Sequence, residues 1–133
     1  MPAKILIVDD EPDIQLYLEA ALEDAGYEVR LLAEDEPFMA TVRAESPSLI
    51  CLDILMPRRS GLSLFRKLQA DETLRQLPVV LISGVTKASA LLEQDVVATA
   101  QQERGGVAVL EKPIQLPALL ETVARLLAPG EAP

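Results

Sequence analysis

Histidine and tryptophan are missing from the sequence, and cysteine occurs once among 133 residues. Without histidine, the commonest general base and metal-binding side chain is lacking, so any chemistry must depend on carboxylates, hydroxyls and lysine. Cys51 has no partner for an internal disulfide and lies in an apolar run, where a free thiol is typically a small buried hydrophobe. The single, unpaired cysteine favours a reducing, cytoplasmic location.

Basic and aromatic residues are also scarce. The 12 Lys and Arg residues against 21 Asp and Glu give a formal net charge of −9, and only 2 Tyr and 2 Phe are present. A nucleic-acid-binding face needs positive charge and stacking surfaces, so the composition argues against nucleic acid as a partner. The sequence also lacks a signal-peptide pattern and any apolar stretch long enough to span a bilayer, which argues against a membrane partner.

What the sequence does contain is a regular alternation of short apolar runs and helical patterns. Hydrophobic residues make up 50% of the chain, which is enough for one domain with its own core. Continuous apolar runs rich in β-branched residues are typical of strands buried on both faces of a parallel sheet. They predict five strands, at residues 5–8, 27–32, 49–52, 79–82 and 107–110.

Helical spacing of apolar residues predicts a helix after each strand. This alternation predicts an α/β fold with a doubly wound (βα)5 sheet and right-handed crossovers, in one domain over residues 1–128. Residues 129–133 then form a linker or a frayed end. The first two predicted helices are 14–25, which ends at Gly26, and 36–44, which ends at Ser46-Pro47. The third has Leu62, Phe65 and Leu68 on one face, and the fourth lies within 88–103. The last helix has Pro117 in its first turn, and its apolar face consists of Leu116, Leu120, Val123 and Leu127.

Polar residues follow four of the predicted strands, at the point where each strand ends. Asp9 and Asp10 follow the first strand, Asp53 the third, Ser83 the fourth, and Lys112 comes just after the fifth. In an open parallel sheet, ligands bind beyond the carboxyl ends of the strands. We therefore expect three carboxylates, a hydroxyl and an ammonium group to meet at one edge of the sheet.

This set of groups indicates metal-assisted phosphoryl transfer. Neighbouring carboxylates repel one another unless a cation is present, and Mg²⁺ prefers oxygen ligands, with Mn²⁺ as an alternative. A carboxylate needs no base to become a nucleophile, so Asp53 is expected to attack phosphorus and form an acyl phosphate. Ser83 and Lys112 would then contact the phosphoryl oxygens.

Each of these residues also has a purely structural explanation. Asp9, Asp10 and Glu11 are acids near a predicted helix N-terminus, where the helix dipole favours them. Asp53 alone could form a turn, and a lone Lys112 before proline is most often solvated. The functional interpretation depends on their joint occurrence, in this order, at successive strand ends.

Three segments of the sequence resemble the receiver domains of bacterial two-component response regulators. Residues 4–12 (KILIVDDEP) are similar to the opening of that family, 52–57 (LDILMP) with Gly61 to its phosphorylation segment, and 111–113 (EKP) to its lysine-proline motif. The resemblance covers roughly residues 4–128. It implies a flavodoxin-like three-layer sandwich whose five strands have the order 2-1-3-4-5.

The resemblance also implies a role for each site residue. Asp53 would accept a phosphoryl group from a histidine kinase or a histidine phosphotransfer protein. Asp10 would bind Mg²⁺ directly and Asp9 through a water, with Asp53 and the backbone carbonyl of Leu55 as further ligands. The Lys112-Pro113 peptide is expected to be cis.

The resemblance further implies a downstream effector protein or domain as a partner. Related receivers form phosphorylation-dependent dimers through the fourth helix, fifth strand and fifth helix. Three departures from the family pattern lie near this region or near the phosphoryl group. The switch position, which is usually aromatic, is Val109. The stretch between Ser83 and Lys112 is several residues longer than usual. Leu55 and Val85 are apolar at two positions whose side chains, in this family, influence how water reaches the phosphoryl group.

Two alternatives of other classes remain. A hydrolase of the haloacid-dehalogenase type also uses a strand-end aspartate with Mg²⁺, but it needs a second acid two residues later, where this chain has Leu55. A pseudo-receiver would be a constitutive interaction module; the retained acids and Lys112 disfavour it, whereas Val109 favours it. In the leading interpretation the chain promotes its own phosphorylation and dephosphorylation and is not a turnover enzyme.

Overall fold

Five parallel strands form one sheet in the computed structural model of the chain, in the order β2-β1-β3-β4-β5. The structure describes residues 2–54, 56, 59–84 and 106–128. The predicted strand order is confirmed, and each observed boundary lies within two residues of its prediction. The strands are β1 (Lys4–Val8), β2 (Glu28–Leu31), β3 (Leu49–Asp53), β4 (Val79–Ser83) and β5 (Val107–Glu111).

In the described residues, helices connect β1 to β2, β2 to β3 and β3 to β4, and helices cover both faces of the sheet. None of the helices in the described ranges is both long and apolar enough to cross a bilayer. The helix predicted within 88–103 lies outside the described residues. The helices in the described ranges are α1 (Pro12–Asp24), α2 (Phe38–Glu45), α3 (Gly61–Ala70) and α4 (Leu116–Leu127).

The core consists of two apolar clusters, one on each face of the sheet. Along a strand, successive side chains alternate between the faces, so β1 contributes Leu6 and Val8 to one cluster and Ile5 and Ile7 to the other. Helices α2 and α3 pack on the first face, and α1 and α4 pack on the second. Cys51 is fully buried in the second cluster, as predicted, and burial raises the pKa of its thiol to about 12.

Specific residues end or begin the helices as their chemistry requires. Gly26 has a φ of 98° just after α1, and Ser46 ends α2 with a φ of 46°. Both lie in the left-handed region that interrupts helical hydrogen bonding. Ser60 precedes α3 and its side chain accepts a hydrogen bond from the amide of Ser63 at 3.2 Å.

The predicted apolar face of the last helix was partly wrong. Leu116 is 39% exposed, whereas Leu119 is fully buried with Val123. Leu116 is the first residue of α4, so it lies at the end of the helix, and the inward stripe runs through Leu119, Val123 and the half-buried Leu126. This stripe has the i, i+4, i+7 spacing of a helix that packs on a sheet.

Gly61, the first residue of α3, lies very close to the strand end that bears Asp53. A Cβ atom at Gly61 would lie 1.9 Å from the carbonyl oxygen of Asp53, so the backbone would have to move. We predict that Gly61→Ala lowers the free energy of unfolding by about 1–3 kcal/mol, as overpacking does. Urea denaturation measures this, with Gly84→Ala as control, because a Cβ there meets nothing within 4 Å. Equal effects of the two substitutions would contradict the prediction.

Candidate functional site

The sheet register brings two aspartates together at the carboxyl end of β1 and β3. Val8 pairs with Leu52 across these neighbouring strands, so Asp9 and Asp53 follow at the same level. Both carboxylates are buried, with about 1% of each residue exposed. Two acids in adjacent, water-shielded positions raise the free energy of the site unless positive charge balances them.

Lys112 supplies positive charge to this pair. Its Nζ atom lies 3.1 Å from Oδ2 of Asp53 and 2.7 Å from Oε1 of Glu11. Burial lowers the pKa of Lys112, but the hydrogen bonds that it donates to Glu11 and Asp53 outweigh this, so its pKa is raised overall. The Lys112-Pro113 peptide is cis, as the family resemblance implies. Lys112 therefore remains charged beside the acids.

Asp9 is held by local backbone contacts. Its Oδ1 accepts a hydrogen bond from the amide of Glu11 at 2.8 Å, and its carbonyl oxygen accepts one from the side chain of Gln15. Its Oδ2 is buried and has no hydrogen-bond partner among the described residues. Burial raises the pKa of Asp9 from 3.8 to about 6; the amide of Glu11 opposes this rise, and the charge of Asp53 adds to it.

Three carboxylates come close enough to share a cation. Oxygen atoms of Asp9, Glu11 and Asp53 all lie within 4.8 Å of one another. Hard divalent cations such as Mg²⁺ prefer carboxylate oxygen, and the buried, unpartnered Oδ2 of Asp9 is a group that such a cation would satisfy. The residues that are present therefore fit a Mg²⁺ ion.

Asp10 does not belong to this group of oxygens in the described structure. Its Oδ1 lies 3.5 Å from Nη2 of Arg59, in the loop between β3 and α3. Its predicted role as a direct metal ligand stays a prediction. The structure thus places Glu11, which the sequence presented only as an acid near a helix start, closer to Asp53 than expected.

Ser83 ends β4 at the same edge of the sheet. It is 6% exposed, and its hydroxyl lies 3.3 Å from the carbonyl oxygen of Gly84. The amide of Lys112 donates to the carbonyl oxygen of Ser83 at 2.9 Å, so the ends of β4 and β5 are fixed together. The structure therefore gathers Asp9, Asp53, Ser83 and Lys112 at one edge, as the strand pattern predicted.

Some of the remaining predicted positions lie outside the described residues. Leu55, the predicted carbonyl ligand, and Val85 fall outside the described residues, as does most of the stretch between Ser83 and Lys112. Val109, the predicted switch position, lies on the edge strand β5 and is 39% exposed.

The sequence matches a protein-family model over most of its length. The model for the response regulator receiver domain matches residues 5–124. The chain belongs to this family. Receiver domains are components of two-component signalling systems, in which response regulators interact with histidine kinases and with effectors.

Curated relatives are consistent with the family. Protein PilH of Pseudomonas aeruginosa is 32% identical over 126 residues, which is 95% of this chain and 98% of PilH. The nitrogen assimilation regulatory protein NtrX of Azorhizobium caulinodans is 35% identical over 96% of this chain but only 26% of its own length. The response regulator PleD of Caulobacter vibrioides is 41% identical over 64% of this chain and 19% of PleD. The chain thus spans about a fifth to a quarter of the two longer relatives.

Solved structures share the fold over nearly the whole chain. The chemotaxis protein CheY4 of Vibrio cholerae has a TM-score of 0.76 and 25% identity, covering 96% of this chain and 100% of that chain. The receiver domain of NtrX from Brucella abortus has a TM-score of 0.73 and 31% identity, covering 92% and 97%. None of these comparisons favours the pseudo-receiver alternative.

The buried carboxylates predict a pH dependence of the metal-free protein. Because the pKa of Asp9 is raised to about 6, the folded state holds this proton more tightly than the unfolded state. The bound proton of Asp9 makes its full contribution to the free energy of unfolding below about pH 4, and this contribution is lost as the pH rises through 6. Asp9→Asn should therefore stabilise the metal-free protein at pH 7 by on the order of 2 kcal/mol, and by less at pH 5.

Urea denaturation in the presence of a chelator measures both values. Asp35→Asn is the control, since Asp35 is an exposed carboxyl. A gain from Asp9→Asn that is the same at pH 5 and pH 7, or no gain, would contradict the account of Asp9.

Proposed function

We propose that this receiver domain accepts a phosphoryl group on Asp53 from a histidine kinase or a histidine phosphotransfer protein. The observation that carries the proposal is the contact between Lys112 Nζ and the buried carboxylate of Asp53, at 3.1 Å. An ammonium group here can neutralise an incoming phosphoryl oxygen and hold Asp53 ionised for attack. The relatives named as response regulators support this choice.

The proposed step uses groups of this chain together with the donor. A carboxylate oxygen of Asp53 attacks phosphorus, the phosphorus–nitrogen bond of the donor phosphohistidine breaks, and the imidazole leaves. Lys112 stabilises the negative charge on the phosphoryl oxygens, and the hydroxyl of Ser83 donates a hydrogen bond to one of them. The product is an acyl phosphate on Asp53.

We further propose Asp9, Asp10, Asp53 and the carbonyl of Leu55 as the residues that hold Mg²⁺, with Mn²⁺ as a substitute. When bound, the cation supplies charge neutralisation to the carboxylates and the phosphoryl oxygens. Glu11 lies in the same group of carboxylates and is a further candidate. The buried Oδ2 of Asp9 supports a cation here, because it is otherwise without a partner among the described residues.

Phosphorylation would then change the surface that partners contact. A phosphoryl group adds negative charge at Asp53 and draws Ser83 and Lys112 towards it. This shifts the equilibrium between two conformations of the carboxyl ends of β4 and β5. The exposed Val109 lies on β5, one strand from Ser83. We propose that a downstream effector distinguishes the two states there, either directly or by a phosphorylation-dependent dimer.

Incubation with acetyl phosphate and Mg²⁺, followed by intact-mass spectrometry, tests the proposal. We expect a gain in mass of one phosphoryl group, which a chelator and Asp53→Asn each abolish and the control Asp35→Asn does not. No gain in mass, or a gain that Asp53→Asn keeps, would refute it and favour a pseudo-receiver. Sustained hydrolysis of phosphate monoesters would instead indicate a hydrolase.

The phosphorylated protein should lose its phosphoryl group slowly. Leu55 is apolar at a position where, in this family, side chains influence water access, so it cannot orient an attacking water. Leu55→Asn should accelerate the loss several-fold, because an amide can hold water by hydrogen bonds. Leu55→Met is the matched control and should leave the rate unchanged. The loss of the phosphoryl mass with time measures each rate, and equal rates in all three proteins would refute the prediction.

A further inference from the structure

An arginine lies against one of the proposed metal-binding acids. Nη2 of Arg59 is 3.5 Å from Oδ1 of Asp10, and the two side chains are 18% and 15% exposed. The pair joins the loop before α3 to the residues that follow β1. Because both partners are largely shielded from solvent, their attraction is less screened than that of an exposed ion pair.

The backbone on the far side of Arg59 is fixed. Ser60 forms the N-terminal cap of α3, and the amide of Gly61 donates to the carbonyl oxygen of Ile54 at 3.0 Å. These contacts tie the end of the loop to the residue after Asp53. The backbone that follows Arg59 is therefore held close to the end of β3, and the guanidinium contacts Asp10 from there.

Within the part of the chain that the structure describes, the acids at this edge contact two different cations. Lys112 contacts Glu11 and Asp53, and Arg59 contacts Asp10. Among the described residues, Asp10 is also the acid that stands outside the group of oxygens within 4.8 Å of one another. A divalent cation that uses Asp10 must therefore compete with Arg59 for its carboxylate.

We infer that Arg59 is a positioning residue that acts as a resident counter-ion of Asp10 and opposes divalent metal binding. The inference rests on the proposed metal site. In the metal-free protein, Arg59 offsets the charge of Asp10 and holds its carboxylate away from the other acids. Binding of Mg²⁺ exchanges one cation for another at Asp10, so the pair sets the Mg²⁺ concentration at which the site fills.

Isothermal titration of the whole chain with MgCl₂ tests this exchange. We expect Arg59→Gln to bind Mg²⁺ about three- to tenfold more tightly than the original protein, because a nearby opposing charge is lost. Arg59→Lys keeps the charge and should stay close to the original affinity. Arg43→Gln is the matched control, since Arg43 pairs with Asp71 at the far end of α3. Helix α3 has ten residues and is about 15 Å long, so Arg43→Gln removes the same charge at the end of the helix that lies away from the site.

The outcomes separate the two proposals. Tighter binding in Arg59→Gln alone supports the inference. Equal affinities throughout, an equal gain in Arg43→Gln, or a gain in Arg59→Lys as large as in Arg59→Gln would overturn it and leave the metal site intact. If neither the original protein nor any of the variants binds Mg²⁺, the proposed metal site is wrong and the inference is wrong with it.

Discussion

The burial of Asp9 and Asp53 side by side is the constraint on which the rest of the site depends. Burial disfavours the charged form of each carboxylate, and the charge of the other acid adds to this cost; both effects raise the pKa of Asp9, burial more than the charge of Asp53. Lys112 relieves only part of it, because its contacts go to Asp53 and Glu11. A site with this charge pattern favours ligands that bring positive charge, and Asp9, Glu11 and Asp53 are carboxylates that would hold a divalent cation there.

Most of the fold could be predicted from the sequence, because the central strands β1, β3 and β4 are buried on both faces. A strand of this kind must be continuously apolar, as 49–52 and 79–82 are, so each strand and its end can be located by pattern alone. Once the strands are parallel, their carboxyl ends share an edge, and the meeting of Asp9, Asp53, Ser83 and Lys112 follows from topology.

Other features depend on side-chain packing that no local pattern records. Glu11 has the sequence signal of an acid at a helix start, and only the position of Lys112 across the sheet reveals its ion pair. Arg59 lies in a loop whose path depends on the close approach of Gly61 to Asp53. Leu116 is exposed and Leu119 is buried because Leu116 is the first residue of α4, and the apolar period of a helix does not show which of its end residues reach the sheet.

The position of the phosphoryl group on the chain is the most direct test of the account. Borohydride reduction converts an aspartyl phosphate into homoserine, which peptide mapping by mass spectrometry locates. After treatment with acetyl phosphate and Mg²⁺, we predict homoserine at position 53 and at no other aspartate. Homoserine at position 9 or 10, or unreduced Asp53 in protein that carries phosphate elsewhere, would contradict the central claim.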